Sequence, residues 1–218
     1  LGHSGTGKTS LVESMLYMTG SIDRLRKVAE GNTDCDSDPE EAKRQISISL
    51  AVAPVKFKGC KINVLDTPGY FDFSGEVMEG LRVADAGIIV GSAKGGLSVG
   101  TEKAWKYLQE RNMPRAIYIA KTDEENGDFN GAWQTLREKF GRSVCPVMMP
   151  LWDEDKHIET LLDIVYRRAY QLEGKRRKEV PIPADKQDVV DELYDQLCES
   201  VAETSEEFME KYFSGEPF

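Results

Sequence analysis

Near the start of the chain, Gly2-His3-Ser4-Gly5-Thr6-Gly7-Lys8-Thr9 sets a lysine and a hydroxyl directly behind a glycine-rich stretch, in the pattern G-x-x-x-x-G-K-[ST]. Phosphate oxygens are held by several backbone N–H groups converging on one point, and glycines let the main chain curl tightly enough to present them. Ser4, Gly5, Thr6 and Gly7 would supply that cradle. Lys8 would reach the β- and γ-phosphates, and the Thr9 hydroxyl would ligate Mg²⁺. A helix starting at the end of the loop adds the positive end of its dipole.

Three further stretches could serve the same ligand. Asp66-Thr67-Pro68-Gly69 lies 58 residues after Lys8, at the end of an apolar run. Asp66 is placed to hold Mg²⁺ through water, and the Gly69 N–H to sense a γ-phosphate. Ala120-Lys121-Thr122-Asp123 ends another apolar run; Asp123 could accept from the two N–H groups of a guanine while the Lys121 stem covers the ring face. Between loop and Asp66, Arg44-Gln45-Ile46-Ser47 offers a hydroxyl where a mobile loop could close on Mg²⁺ and the γ-phosphate.

The elements that must position these groups follow from periodicity. Residues 8–18 carry apolar side chains at helical spacing, and 34–41 read as a polar, mobile loop. Residues 46–57 and 61–65 read as extended runs joined by a turn at Lys58-Gly59-Cys60. Helices are expected at 73–83, 102–111 and 129–140, and short strands at 86–90 and 115–119. Short apolar strands alternating with amphipathic helices argue for an α/β fold with a mostly parallel sheet and helices on both faces. After about Pro150 the texture changes: 164–172 partly alternates, Glu173-Gly174 supplies a turn, and a small antiparallel hairpin is expected. Val190, Leu193, Leu197, Val201, Phe208 and Tyr212 then fall on one long helical stripe with an acidic opposite face.

Composition narrows the classes. With 218 residues, 40% of them apolar, the chain can build a core, and no apolar run is long enough to span a bilayer. No signal peptide is readable. The four cysteines lie far apart without metal-ligand spacing, as reduced thiols of a cytoplasmic protein would. A net charge of −10 makes the chain a poor non-specific binder of nucleic acid. The chain opens directly on the glycine-rich loop, so a fragment of something longer is expected, with the strand that leads into the loop lying upstream. If that strand were missing, its two neighbours would carry unpaired backbone groups or the loop would be distorted. The tail 214–218 is expected to break off in the same way.

Together these residues resemble the GTPase domain of translation elongation factor G, over nearly the whole chain. Gly2-His3 and Gly7-Lys8-Thr9 match that family's loop, and Arg44-Gln45-Ile46-Ser47-Ile48 resembles its Arg-Gly-Ile-Thr-Ile switch. Asp66-Thr67-Pro68-Gly69-Tyr70-Phe71-Asp72-Phe73 resembles its Asp-Thr-Pro-Gly-His-x-Asp-Phe, continuing into Glu76-Val77 and Leu81-Arg82-Val83. Ile182-Pro183-Ala184-Asp185 and residues 205–212 are similar to the inserted subdomain that sets this factor apart from its relatives. The resemblance implies a P-loop GTPase core over 1–150, an inserted α+β subdomain over 151–218, GTP or GDP with Mg²⁺ as ligands, and the ribosome (ribosomal RNA and stalk protein) as partner of a monomeric cytoplasmic factor. Lys8, Gly69 and Tyr70 would be catalytic, and Thr9, Ser47 and Asp66 would hold the metal.

The departures carry information. Tyr70 stands where the family has its hydrolytic histidine; a phenol cannot act as a near-neutral base, and losing such a group costs about 10²–10⁴-fold in rate. A nucleotide-gated ribosome binder with weak hydrolysis, or a tetracycline-resistance-type ribosomal protection factor, is therefore a competing expectation. Ala120 occupies the position of the guanine-reading Asn, which leaves an ATP-using P-loop enzyme open as well. Gly5 replaces an acidic residue that could hold a monovalent cation. Ser92-Ala93-Lys94 has the letters of the family's fifth motif but precedes the base reader. The basic run 175–178 reads as a solvated hairpin end, with ribosomal RNA contact as the alternative, and the acidic helix near 188–211 as a face for a stalk protein.

Overall fold

A computed structural model describes residues 1–95, 97–155 and 157–216. The tail positions Pro217 and Phe218 lie outside the described residues. The chain forms two compact units, Leu1–Ala132 and Trp133–Phe218.

In the first unit, α1 (Lys8–Met18) leaves the glycine-rich loop, and a six-residue helix α2 (Pro39–Arg44) occupies the second half of the segment expected to be a mobile loop. Asp38 explains the helix. Its side chain accepts the Glu40 N–H, the Glu41 side chain reaches back to the Asp38 N–H, and Pro39 fills the first turn. The strands β1 (Ala51–Phe57) and β2 (Cys60–Asp66) form an antiparallel hairpin. Its turn is two residues, Lys58 and Gly59, both at positive φ (48° and 80°), the twist that a tight hairpin requires. Residues 46–50, expected to be extended with β1, are instead a loop that pairs with no strand.

Helix α3 (Ser74–Val83), strand β3 (Gly87–Ser92), helix α4 (Val99–Glu110) and strand β4 (Arg115–Ala120) complete this part. β3 and β4 pair in parallel through the α4 crossover. Gly87 lets α4 approach: a Cβ there would lie 2.5 Å from Leu108 Cδ2. Leu81, Ile89, Ala104 and Leu108 form one buried cluster, and Val12, Leu16, Cys35, Ala53 and Val55 another between α1 and the hairpin.

Among the described residues the β3–β4 pair is parallel and the other strand pairs are antiparallel. A two-residue turn can join only antiparallel strands, and β2 does not bond to β3. A cavity of about 740 Å³ separates them, lined by Ile62, Val64, Ile88 and Val90 among others. Leu1 lies along β3, its amino group donating to Ile88 O (2.9 Å) and its carbonyl accepting from Val90 N (2.8 Å).

Helix α5 (Phe129–Phe140) leads into the second unit, where the expected single hairpin is a four-stranded antiparallel meander. Its strands are β5 (Met148–Trp152), β6 (Ile158–Asp163), β7 (Arg168–Glu173) and β8 (Arg176–Val180). A boundary at 150 would cut β5, which pairs with β6, so packing places the division earlier. The long stripe 190–212 is two helices, α6 (Gln187–Ala202) and α7 (Glu206–Ser214). They part at Ser205, whose hydroxyl accepts the Phe208 N–H (3.2 Å) and so caps a new helix. Leu162, Ile164, Ala169, Val190 and Leu193 form this unit's buried core.

Candidate functional site

The glycine-rich loop turns through Gly5 and Gly7 at φ 74° and 96°, conformations in which a Cβ is strained. Gly7 caps α1 with no side chain on the first-turn N–H groups, which leaves them for a ligand. Thr6 Oγ1 and Lys8 Nζ both donate to His3 O (3.0 Å each), closing the loop on itself. Thr6, Lys8 and Thr9 are buried.

At the base of the loop, Thr9 Oγ1 donates to Asp66 Oδ2 (2.7 Å) and lies 3.2 Å from Ser47 Oγ. β2 delivers Asp66, and the loop after α2 delivers Ser47. Asp36, which the sequence reading passed over, belongs here too: it is 6% exposed, its Oδ1 has no hydrogen-bond partner, and its charge acts on both Lys8 and Asp66. The two hydroxyls and the Asp66 carboxylate, gathered by these contacts, are hard-oxygen donors of the kind Mg²⁺ takes. Among the described residues no group of three His, Cys, Asp or Glu could hold a metal by themselves.

Burial dominates the electrostatics. It lowers the Lys8 pKa, opposed by Asp66 and Asp36, and raises that of Asp66, opposed by the Thr9 hydrogen bond and Lys8. A carboxyl whose folded-state pKa is raised binds more protons folded than unfolded. Its stabilising contribution is therefore complete below the ordinary aspartate value of 3.8 and is lost as pH climbs through the raised one. Glu13, fully buried and raised mainly by burial, acts with the same sign. The share of the ligand-free protein's stability that Asp66 and Glu13 contribute is expected to fall as pH rises from about 4. Asp66→Asn should reduce that slope and leave Glu13's share, as a melting series across pH would read.

Above this base opens a cavity of about 200 Å³ lined by Ser4, Gly5, Gly7, Lys8 and Thr9, and by Ser47, Gly69, Tyr70 and Lys121. Gly69 presses on the loop: a Cβ there would sit 2.7 Å from Ser4 N and Cα and would overlap Lys8 Nζ. Tyr70 is 44% exposed at the cavity wall. The adjoining Phe71 ring packs against the His3 ring (centroids 5.8 Å) and carries Lys103 Nζ 3.7 Å from its centroid. The end of β4 abuts the loop, with Ala120 Cβ 3.8 Å from where a Gly7 Cβ would be. Lys121 follows in the left-handed conformation (φ 63°), its Nζ 3.2 Å from Glu124.

Asp123 follows Lys121 by two residues. It is exposed, on the turn after Lys121, outside the lining of the 200 Å³ cavity. The structure thus gathers Ser4 to Thr9, Ser47, Asp66, Gly69, Tyr70 and Lys121. Ser92-Ala93-Lys94 is strand neighbour to the base-reader segment, with Ala93 N donating to Ala120 O (2.9 Å). Of the residues passed over, Glu41 had a signal, the Asp38-x-x-Glu41 capping pattern; Asp36 and Lys103 had none.

Among the described residues no helix is long and apolar enough to cross a membrane. Known proteins agree with the geometry. A family model described as the elongation factor Tu GTP binding domain matches residues 1–211. Two proteins called "Elongation factor G-like protein", from two strains of Mycobacterium tuberculosis, are each 37% identical over 219 aligned positions, which cover 99% of this chain and 30% of theirs. A crystal structure from Thermus thermophilus superposes with a TM-score of 0.90 at 36% identity, covering 99% of this chain and 32% of that one. The chain spans about a third of the length of these relatives. Since the matched span takes in the phosphate loop, Asp66 and the strand ends above them, the chain belongs to the elongation factor Tu GTP-binding domain family and has its P-loop GTPase fold.

Proposed function

We propose that this chain is the nucleotide-operated domain of a cytoplasmic translation factor of the elongation factor G kind, which binds GTP with Mg²⁺ and hydrolyses it on the ribosome. The observation that carries the reading is the Thr9–Asp66–Ser47 cluster beneath a cavity walled by Lys8 and Gly69. The Ser4–Thr9 backbone would cradle the phosphates and Lys8 would neutralise their charge. Thr9 and Ser47 would hold Mg²⁺ by their hydroxyls, and Asp66 and Asp36 through its waters. Held by these residues, the ion would supply charge neutralisation to the phosphates. Gly69 N–H would report the γ-phosphate, and loss of that phosphate would release the Ser47 and Gly69 segments. Lys121 would cover the base, with Asp123 swinging in to accept its N–H groups.

Tyr70 at the cavity wall would position the attacking water through its hydroxyl. That placement favours one second reading, a nucleotide-gated ribosome binder with little hydrolysis. Phosphate release from a full-length protein carrying this sequence, with and without ribosomes, separates the two. Stimulation supports the enzyme, and a rate equal to the intrinsic one retires it. The second unit, with its acidic helices α6 and α7, would meet the ribosomal stalk protein, and the factor would work as a monomer.

Ala120 gives a sharper check on the base. Its Cβ sits next to Gly7, so an asparagine there could reach both the loop and a purine. Ala120→Asn is expected to tighten GDP by about 5–150-fold, the worth of one buried hydrogen bond of about 1–3 kcal/mol. ADP should not gain; a gain for ADP alone, in competitive titration, would favour an adenine nucleotide.

A further inference from the structure

The loop that delivers Ser47 is held in an unusual way. The three backbone amides that follow Ser47 precede β1 and pair with no strand, yet none is left to water. Ile48 N and Ser49 N donate to Glu41 Oε1 (2.8 and 3.0 Å), and Leu50 N donates to Glu76 Oε2 (2.6 Å). Charged acceptors make these bonds roughly twice as strong as neutral ones. Glu41 is 3% exposed, and its other oxygen accepts the Asp38 N–H (3.1 Å) that starts α2, so it fixes the helix and the loop together. The chain doubles back to reach it through Gln45 at φ 56°.

Glu76 belongs to α3, the helix that follows Gly69 and Tyr70 after a single short turn. Four residues along the same face, Gly80 leaves room for Leu50: a Cβ there would lie 3.3 Å from Leu50 Cδ1. One stripe of α3 therefore grips Leu50 by backbone and by side chain. The Ser47 and Gly69 segments, both lining the cavity, are thereby tied to each other through Leu50.

We propose that Glu41 and Glu76 are positioning residues that hold Ser47 ready for a metal-bound triphosphate, and that Glu76 couples the Ser47 segment to the Gly69 segment through α3. The inference rests on the reading of Ser47 as a metal and γ-phosphate contact. Neither carboxylate touches the nucleotide, so both act on the population of the loop conformer that can bind triphosphate. GDP needs neither Ser47 nor Gly69 and should be indifferent to both.

The test uses the full-length protein, with GTPγS and GDP titrated in the presence of Mg²⁺ against Ser47→Ala, Glu41→Ala, Glu76→Ala and Glu76→Gln. If the competent conformer falls to about a tenth, Glu41→Ala and Glu76→Ala each weaken GTPγS about tenfold while GDP stays within about twofold. Glu76→Gln restores GTPγS binding, because its amide oxygen can still accept the single Leu50 N–H. Equal weakening of GTPγS and GDP, or no change in either, overturns the proposal. Should Glu41→Ala fail to fold, the Glu76→Ala and Glu76→Gln pair decides, since Glu76 is only half-buried. Ser47→Ala separates the two layers. If it leaves the GTPγS-to-GDP ratio intact, the role of Ser47 fails and the proposal with it; if it shifts the ratio and the glutamate variants do not, only the proposal fails.

Discussion

Replacing Lys8 with alanine is expected to weaken binding of Mg²⁺-GDP by about 10²–10³-fold. The ammonium would bond two phosphate groups, and two charge-assisted bonds near the low end of 1.5–3 kcal/mol each give about 3–4 kcal/mol. The ligand-free fold should suffer less. Lys8 is buried, its charged form is disfavoured there, and it donates a hydrogen bond to His3 O within the loop. Once the cation is gone, Asp66 keeps the hydrogen bond that Thr9 Oγ1 donates to it (2.7 Å). Titration calorimetry should therefore show binding all but lost, and a melting curve of the ligand-free protein only a modest shift. A large loss of melting temperature at near-normal GDP affinity would make Lys8 a structural lysine.

Gly69→Ala should separate the triphosphate state from the diphosphate state. The residue has no side chain because the loop leaves no space for one: the added carbon would overlap Lys8 Nζ and approach Ser4 N to 2.7 Å. The segment must retreat, taking its N–H away from the site of the γ-phosphate. Removing one such donor from developing charge typically costs about 10²–10³-fold in rate. Single-turnover hydrolysis should fall by that order while GDP, which has no γ-phosphate, loses far less. A variant that hydrolyses GTP at the parental rate would remove Gly69 from the site.

Much of the site was legible because its chemistry is local. Lys8 and Thr9 follow from a contiguous pattern, and α1 begins at Lys8 as the periodicity of 8–18 required. Asp66 ends its strand, and the hairpin turn is dictated by Lys58-Gly59. Asp36 and Glu76 were invisible for the opposite reason. Each acts on groups distant in sequence, and a carboxylate in a polar loop or on a helix has no periodicity that announces a buried partner. Residues 46–50 misled because their apolar alternation matches a strand, whereas the amides of 48–50 are satisfied by two side chains. In the second unit Met148-Met149-Pro150 and Ile158-Glu159-Thr160-Leu161-Leu162 alternate poorly, so two of the four strands escaped notice. The stripe from Val190 to Tyr212 runs through Ser205 without a change of phase, and only the cap reveals two helices.

The central claim is that the glycine-rich loop, Asp66 and the end of β4 grip one guanine nucleotide with its magnesium. Competitive titration of Mg²⁺-GDP against Mg²⁺-ADP into the protein tests it most directly. The account predicts saturation at one GDP per chain, clear preference over ADP, and loss of that binding on chelating magnesium. ADP competing on equal terms, or GDP affinity indifferent to magnesium, would contradict it.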